Sequence, residues 1–127
     1  AMEDMRRYLR VALAKAHCHN ITKEDIYELV DEIYEDELVY AFHDIAPAAP
    51  THILIVPKEH ICCANELDES HEGLLGHIIL TASKLAKELG FAEDGYRIIN
   101  NCGANAGQTV FHLHFHVLAG GKFTKLV

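Results

Sequence analysis

Long apolar runs are absent from this sequence, and no stretch approaches the roughly 20 residues that a helix needs to span a bilayer. Residues 6–16 superficially suggest a signal peptide, but Arg10 and Lys15 interrupt what would be its apolar centre. Basic residues are also scarce, with 11 Lys and Arg against 19 Asp and Glu for a net charge of −8. This balance opposes non-specific binding to nucleic acid or an anionic membrane, but it permits a small anionic ligand at one local site. We expect a cytoplasmic protein that binds neither nucleic acid nor membrane.

Cysteines are few and irregularly spaced, whereas histidine is abundant. The four cysteines are Cys18, Cys62, Cys63 and Cys102. Their spacing suits neither a regular disulfide framework nor a paired Cys-x-x-Cys zinc site, so we expect reduced thiols. Ten residues are histidine, and the surface charge should therefore respond to mild acid.

Composition and hydrophobic patterning predict one folded domain. Apolar residues are 50% and charged residues 24% of the chain, close to globular averages, which excludes a disordered chain. Apolar residues at helical spacing predict an amino-terminal helix over 3–16 and a main helix over 68–89 that ends at Gly90. A weaker helical pattern follows Thr22, and its carboxyl half fits a strand equally well.

Four short runs rich in branched and aromatic residues predict strands, at residues 38–42, 53–56, 96–100 and 110–118. A glycine-rich loop over 101–107 precedes the last of them. The pattern indicates the α+β class, with an antiparallel sheet of about five strands, the main helix on one face and an extra amino-terminal helix.

The last predicted strand carries three histidines that alternate with apolar residues. Side chains at i, i+2 and i+4 of a strand share one face at about 3.3 Å per residue, so His112, His114 and His116 would form a row about 6.6 Å apart. The apolar residues between them would face the core.

This row allows three interpretations. The polar side of an amphipathic strand would accept any polar residue, and three histidines by chance are improbable. Imidazoles are good zinc ligands, but groups about 6.6 Å apart on a flat strand cannot all reach one ion without ligands from elsewhere. In a catalytic site, a neutral imidazole is a usable nucleophile near neutral pH, and a second, protonated one can donate to an anionic substrate or leaving group.

Residues 112–118 also match the His-x-His-x-His-x-x pattern, with x hydrophobic, of the histidine triad superfamily. Further blocks resemble the histidine triad nucleotide-binding (Hint) branch in order and spacing, at residues 42–47, 49–58, 95–97, 101–103 and 107–110. The small-residue turn at 119–120 favours this branch over the fragile histidine triad (Fhit) branch. The chain is identified as a single domain of this superfamily over 1–127, with a core at 36–121 and a divergent helical extension at 1–35.

The resemblance implies nucleotidyl transfer to histidine followed by hydrolysis, with purine nucleoside 5′-phosphoramidates as substrates. His114 would attack the α-phosphorus, and water would then release the nucleoside monophosphate. His116 matches the histidine that hydrogen-bonds the phosphate and helps to protonate the departing amine. His112 and His52 match the supporting pair behind the nucleophile.

The resemblance also implies a site for a purine nucleotide such as AMP or GMP. Residues expected against the phosphate and sugar are Asn101, Gly107, Gln108 and Thr109, and Asp44 would accept hydrogen bonds from the ribose. The base pocket would be lined by Phe42, Ile45 and Leu54, although apolar strand residues are more often plain core. The remaining histidines of the core are expected to be surface or hydrogen-bonded residues without a catalytic role: His43, His60, His71 and His77.

The region before residue 36 departs from the family pattern. Many bacterial relatives hold structural zinc through Cys-x-x-Cys and two histidines that match His52 and His112. This chain has Cys18 but Ile21 at the second cysteine position. Structural zinc takes four ligands, so no cofactor is expected unless His17 or His19 supplies the missing one.

Three functions stay open from the sequence. The first is a phosphoramidate hydrolase, the second a dinucleoside polyphosphate hydrolase as in the Fhit branch, and the third a non-enzymatic nucleotide-binding interaction module. Relatives in the Hint branch pair as two-fold dimers through the main helix and the adjoining strand. Gly76 and Ala82 are small enough to permit such an approach, so we expect a homodimer.

Overall fold

A computed structural model describes residues 32–44 and 47–123 of the chain. The described part contains one α-helix and five strands, namely β1 (Glu32–Glu35), β2 (Val39–His43), β3 (Thr51–Pro57), α1 (Glu72–Leu89), β4 (Tyr96–Ile99) and β5 (Phe115–Ala119). The predicted α+β class, with one long helix and a five-stranded sheet, is confirmed. The helix predicted over 3–16 lies outside the described residues.

The strands form one antiparallel sheet in the order β1-β2-β3-β5-β4. β1 occupies the carboxyl end of the pattern that follows Thr22, so the strand alternative is the correct one there. β4 lies at one edge of this sheet and β1 at the other.

α1 begins after a 3₁₀ turn (Glu69–His71), where the Asp68 side chain accepts a hydrogen bond from the backbone N–H of Ser70. It ends at Gly90, whose φ of 86° is a left-handed conformation that favours glycine. One stripe of the helix is buried, with Ile78, Thr81, Ala82, Leu85 and Ala86. These residues pack on side chains of β2, β3 and β5 that point to the same face of the sheet, including Val39, Ala41, Ile53, Ile55 and Val117. The helix therefore covers one face and leaves the other face of the sheet for a site.

β5 is shorter than predicted, because it begins at Phe115 rather than near residue 110. Phe115 pairs with Ile55 of β3, so continuing the register would set Leu113 opposite Pro57. Proline has no backbone N–H and cannot extend the ladder. The N–H of Leu113 instead donates to the carbonyl of Ile61 at 2.6 Å. Two of the three motif histidines, His112 and His114, thus precede the strand and do not form the expected flat row.

Within the described ranges, no helix combines the length and the apolar character needed to cross a membrane.

Candidate active site

The histidines gather at the sheet face opposite α1. In β3 and β5, His52, Leu54 and His116 alternate with the residues that pack on the helix, and Leu54 lies directly opposite His116 in the register. The ring of His114 lies beside that of His116, with the ring centroids 5.2 Å apart, and His112 precedes His114 in the irregular segment before β5. All four predicted histidines are buried, at 2% to 6% exposure.

His114 presents one ring nitrogen in a defined state. Its Nδ1 lies 2.8 Å from the carbonyl oxygen of His112. A carbonyl oxygen can only accept, so Nδ1 carries the proton and the neutral ring has its lone pair on Nε2. The carbonyl of His114 itself accepts a hydrogen bond from the Asn100 side chain at 2.9 Å. Both bonds fix the segment that carries this ring.

His52 and His116 form a second ordered pair. The backbone N–H of Ala48 donates to Nδ1 of His52 at 3.0 Å. This leaves the proton of the neutral His52 ring on Nε2, which lies 2.8 Å from Nδ1 of His116. The neutral His116 ring must then carry its own proton on Nε2. The backbone N–H of Ala48 thus determines the tautomer of His52, and His52 in turn determines the tautomer of His116.

Asp44 closes this pair on one side. Its backbone N–H donates to the carbonyl of His52 at 2.8 Å, and its carboxylate Oδ2 lies 3.6 Å from Nε2 of His52. Possible ligand atoms of Asp44, His52 and His116 lie within 4.8 Å of one another, a spacing that a metal ion could use. A ligating histidine, however, donates its other N–H to an acceptor, whereas Nδ1 of His52 faces the N–H of Ala48. The side chains of Asp44, His52 and His116 are therefore better suited to a hydrogen-bonded network than to binding a metal ion.

His112 lies between a backbone carbonyl and a fifth histidine ring, that of His60. Its Nε2 is 2.9 Å from the carbonyl oxygen of Pro57, and its Nδ1 is 2.9 Å from Nδ1 of His60. Burial lowers the pKa of His112, and the neighbouring His60 and His114 add to that effect, although the bond to Pro57 opposes it. His112 is therefore held as a neutral ring.

Gln108 fixes the glycine-rich loop. Its side-chain Oε1 accepts from the N–H of Gly103 at 2.8 Å, and its Nε2 donates to the carbonyls of Cys62 and Val110 at 2.9 and 3.1 Å. The buried amide is occupied by these contacts. A contact of Gln108 with a nucleotide stays a prediction, and its visible role is to shape the loop beside the histidines.

The other predicted binding residues divide into two groups. Phe42 and Leu54 are buried in a small apolar cluster with Tyr40 and Val56, on the face of the sheet that carries His116. On the loop, Asn101 is half-buried, whereas Gly107 and Thr109 are exposed. Ile45 lies outside the described residues. Binding roles for this set stay predictions.

The sequence missed two contacts of the site, those of His60 and Asn100. His60 was expected to lack a catalytic role, and it is hydrogen-bonded as expected, but its partner is a residue of the histidine motif. No sequence signal could have found it, because the irregular path from residue 58 to residue 63 brings it back to His112. Asn100 follows β4 directly, and its side-chain amide donates to the carbonyl of His114.

The five-stranded sheet with one covering helix and a buried cluster of paired histidines defines a histidine-triad fold and site. The family profile described as "HIT domain" matches residues 28–123. The chain belongs to the HIT domain family.

Named relatives agree with this assignment. The purine nucleoside phosphoramidase of Escherichia coli (strain K12) is 50% identical over 90 residues, which are 71% of this chain and 76% of the relative. A HIT family hydrolase from Clostridium thermocellum is 52% identical with a TM-score of 0.74, covering 80% of this chain and 89% of that one. A zinc-bound histidine triad family protein from Mycobacterium smegmatis is 33% identical with a TM-score of 0.61, covering 76% and 69%.

The two histidines expected to share a zinc ion do not share a site here. His52 is the second residue of β3, whereas the ring of His112 is hydrogen-bonded to Pro57 at the other end of that strand. Five residues of strand separate these points by about 16 Å, while zinc–nitrogen bonds are about 2.0–2.1 Å long. His52 and His112 therefore do not fit one zinc ion.

Proposed function

We propose that this protein is a hydrolase that cleaves the P–N bond of purine nucleoside 5′-phosphoramidates through a nucleotidyl-histidine intermediate. The observation that carries the proposal is the hydrogen bond from Nδ1 of His114 to the carbonyl of His112 at 2.8 Å. It leaves the lone pair of His114 on Nε2, where a neutral imidazole acts as a nucleophile.

In the first step, Nε2 of His114 attacks the α-phosphorus and the bond from phosphorus to the leaving amine breaks. The departing amine accepts a hydrogen bond from Nε2 of His116, whose Nδ1 is held by His52 at 2.8 Å, and takes up its proton from the solvent, so that His116 stays neutral. The proton leaves with the amine, and the nucleotidyl group stays on His114.

In the second step, water attacks the phosphorus and releases a proton to the solvent. The bond from phosphorus to Nε2 of His114 then breaks, which releases the nucleoside 5′-monophosphate and restores the neutral His114 ring. Dividing one displacement into two lowers the barrier of each. The N–H groups of Gly103 and Gly107 already donate to the Gln108 side chain and to the carbonyl of Ala104. Thr109, exposed directly after Gln108, is the proposed donor to the phosphate.

The substrate class is supported by the relative from Escherichia coli, which is named a purine nucleoside phosphoramidase and is 50% identical over 71% of this chain. Asp44 is the proposed acceptor for the ribose hydroxyls. Phe42 and Leu54, on the same face as His116, are the proposed inner wall of the base pocket.

Initial rates on adenosine 5′-phosphoramidate and on a diadenosine polyphosphate test this proposal at equal enzyme concentration. We expect release of AMP from the phosphoramidate at the higher rate. Faster cleavage of the diadenosine compound would instead assign a dinucleoside polyphosphate hydrolase. AMP binding without turnover of either compound would assign a nucleotide-binding module.

A homodimer is the proposed assembly. The face of α1 turned away from the sheet carries Leu80, 69% exposed, and Ile79, 45% exposed. Gly76 on the same face has no heavy atom within 4 Å of the position that a Cβ would take, so a second chain could approach closely there. Ala82 cannot serve that purpose as expected, because it is buried against the sheet.

A further inference from the structure

We propose that His60 is a positioning residue for the nucleophile, acting through His112. The role rests on the proposed function, in which Nε2 of His114 attacks phosphorus. Three contacts carry the inference: His60 to His112, His112 to Pro57, and His112 to His114.

Two hydrogen-bond partners fix the tautomer of His112. The carbonyl of Pro57 can only accept, so Nε2 of His112 carries the ring proton and Nδ1 of the neutral ring must accept. Nδ1 lies 2.9 Å from Nδ1 of His60, and this contact requires a proton on the His60 nitrogen. His60 therefore supplies the donor that keeps His112 in the tautomer that Pro57 requires.

The same ring also anchors the backbone at residue 112 to β3. The ladder between β3 and β5 ends at Phe115, because Pro57 has no N–H to offer opposite Leu113. Residues 112–114 lie outside this ladder, and the hydrogen bond from the His112 ring to the Pro57 carbonyl joins them to the end of β3. This side-chain bond takes the place of the backbone bond that is missing there.

The position of the His112 backbone affects Nε2 of His114, the proposed attacking atom. The carbonyl of His112 accepts the Nδ1 proton of His114 at 2.8 Å and so determines which nitrogen of His114 has the lone pair. Without His60, the His112 ring can move its proton to Nδ1, and its Nε2 lone pair then faces the Pro57 carbonyl. Repulsion between these two acceptors would displace the segment and, with it, the nucleophile.

His60 is suited to a clean test because its side chain is exposed while that of His112 is 2% exposed. Removing it leaves no cavity in the apolar core. His60→Asn keeps a side-chain N–H near the position of Nδ1, whereas His60→Gln moves the N–H to the position of Nε2. His71→Ala is the matched control, since His71 is another hydrogen-bonded histidine, and its partners Glu59 and Asp68 are carboxylate residues outside the histidine motif.

The experiment measures kcat and KM on adenosine 5′-phosphoramidate together with long-range ¹H–¹⁵N spectra that identify imidazole tautomers. For His60→Ala we expect kcat to fall about 10-fold, the scale for loss of an orienting partner, with KM changed less than about twofold. The spectra should lose the single Nε2–H form of His112. His60→Asn should recover most of kcat and His60→Gln should not, while His71→Ala should keep the wild-type kcat.

Two results would overturn the inference. One is a wild-type kcat for His60→Ala with only a lower melting temperature, and the other is equal activity of the Asn and Gln variants. If the wild-type protein does not cleave the phosphoramidate, the proposed function fails, and the spectra still decide the role of His60. Unchanged tautomers of His112 and His114 in His60→Ala would then refute positioning, and altered tautomers would support it.

Discussion

Nε2 of His52 lies 2.8 Å from Nδ1 of His116, and the other nitrogen of His52 accepts from the backbone N–H of Ala48. The direction of each hydrogen bond is fixed, because a backbone N–H can only donate. His116 therefore directs an N–H outward from its Nε2 when both rings are neutral. The backbone N–H of Ala48 thus determines, through His52, which nitrogen of His116 carries the proton.

The first prediction concerns this pair. His52→Leu removes the donor and leaves Nδ1 of His116 buried without it, so kcat should fall about 10- to 100-fold. His52→Gln places an amide N–H near the original Nε2 and should keep more of the activity. The measurement is steady-state turnover of adenosine 5′-phosphoramidate. Equal rates for the two variants would contradict an orienting role for the ring.

The second prediction concerns the nucleophile. His114→Ala should lower turnover at least about 10³-fold, because the covalent step cannot form without the attacking Nε2. AMP should still bind, since the proposed contacts to base, ribose and phosphate come from other residues. Calorimetry measures the binding, and mass spectrometry of the wild type with a slow substrate should find an acid-labile adduct on this residue. Near wild-type turnover in a preparation free of contaminating hydrolase would refute the covalent mechanism.

The third prediction concerns the carboxylate of Asp36, between β1 and β2. Burial alone would raise the pKa of Asp36, but hydrogen bonds from Tyr34, the N–H groups of Val39 and Leu38, and His77 outweigh it and hold that pKa well below its ordinary value. The Nε2 of His77 lies 2.5 Å from Oδ2, which ties the β1–β2 turn to α1. The ionised carboxylate is therefore part of how the helix is held to the sheet.

Unfolded, this carboxyl has a pKa of about 3.9, so on acidification the unfolded state takes up a proton before the folded state does. The stability that Asp36 contributes is complete at neutral pH and is lost as pH falls below about 5 toward the folded-state pKa. Asp36→Asn should lower the free energy of unfolding by about 2 kcal/mol at pH 7. Urea titrations should show this difference shrinking as pH falls to about 3.5. Asp94→Asn, at an exposed carboxylate, is the control, and a difference that grows in acid would contradict the assignment.

Much of the fold follows from local patterns, and α1 is the clearest case. Its apolar stripe and Gly90 predicted a helix to residue 89, and the helix ends at Leu89. The strand predicted over 110–118 was wrong in its first half. The residue pattern of a segment does not show whether its partner strand can supply the hydrogen bonds of the ladder. The missing N–H of Pro57, on a different strand, ends the ladder there.

The motif and the family resemblance predicted His52, His112, His114 and His116 as site residues, and their catalytic roles stay predictions. The structure buries all four side chains and adds their pairing, which the sequence did not predict. The family resemblance also predicted that His52 and His112 act together, whereas His52 pairs with His116 and His112 pairs with His60. Ring orientation depends on backbone groups such as the Ala48 N–H and the Pro57 carbonyl, which no residue pattern encodes.

The last prediction concerns assembly. Leu80 is 69% exposed on the outer face of α1, where Ile79, 45% exposed, and Gly76 extend an apolar patch. A two-fold contact would bury this patch on both chains, and β4, at the edge of the sheet, would gain backbone partners. Sedimentation at micromolar concentration should give twice the chain mass of 14.2 kDa, with little dependence on salt because the contact is apolar.

Leu80→Lys should convert the dimer to monomer, because a charge would be buried twice across the two-fold axis. Leu38→Lys is the matched control, since Leu38 is 46% exposed just before β2 and lies off the helix. It should remain dimeric. A monomeric wild-type protein, or a Leu80→Lys variant that stays dimeric, would show that this face of α1 is not the interface. If the wild type is a dimer and Leu80→Lys stays dimeric, the next surface to change is β4, because an edge strand has backbone N–H and C=O groups without partners in the sheet.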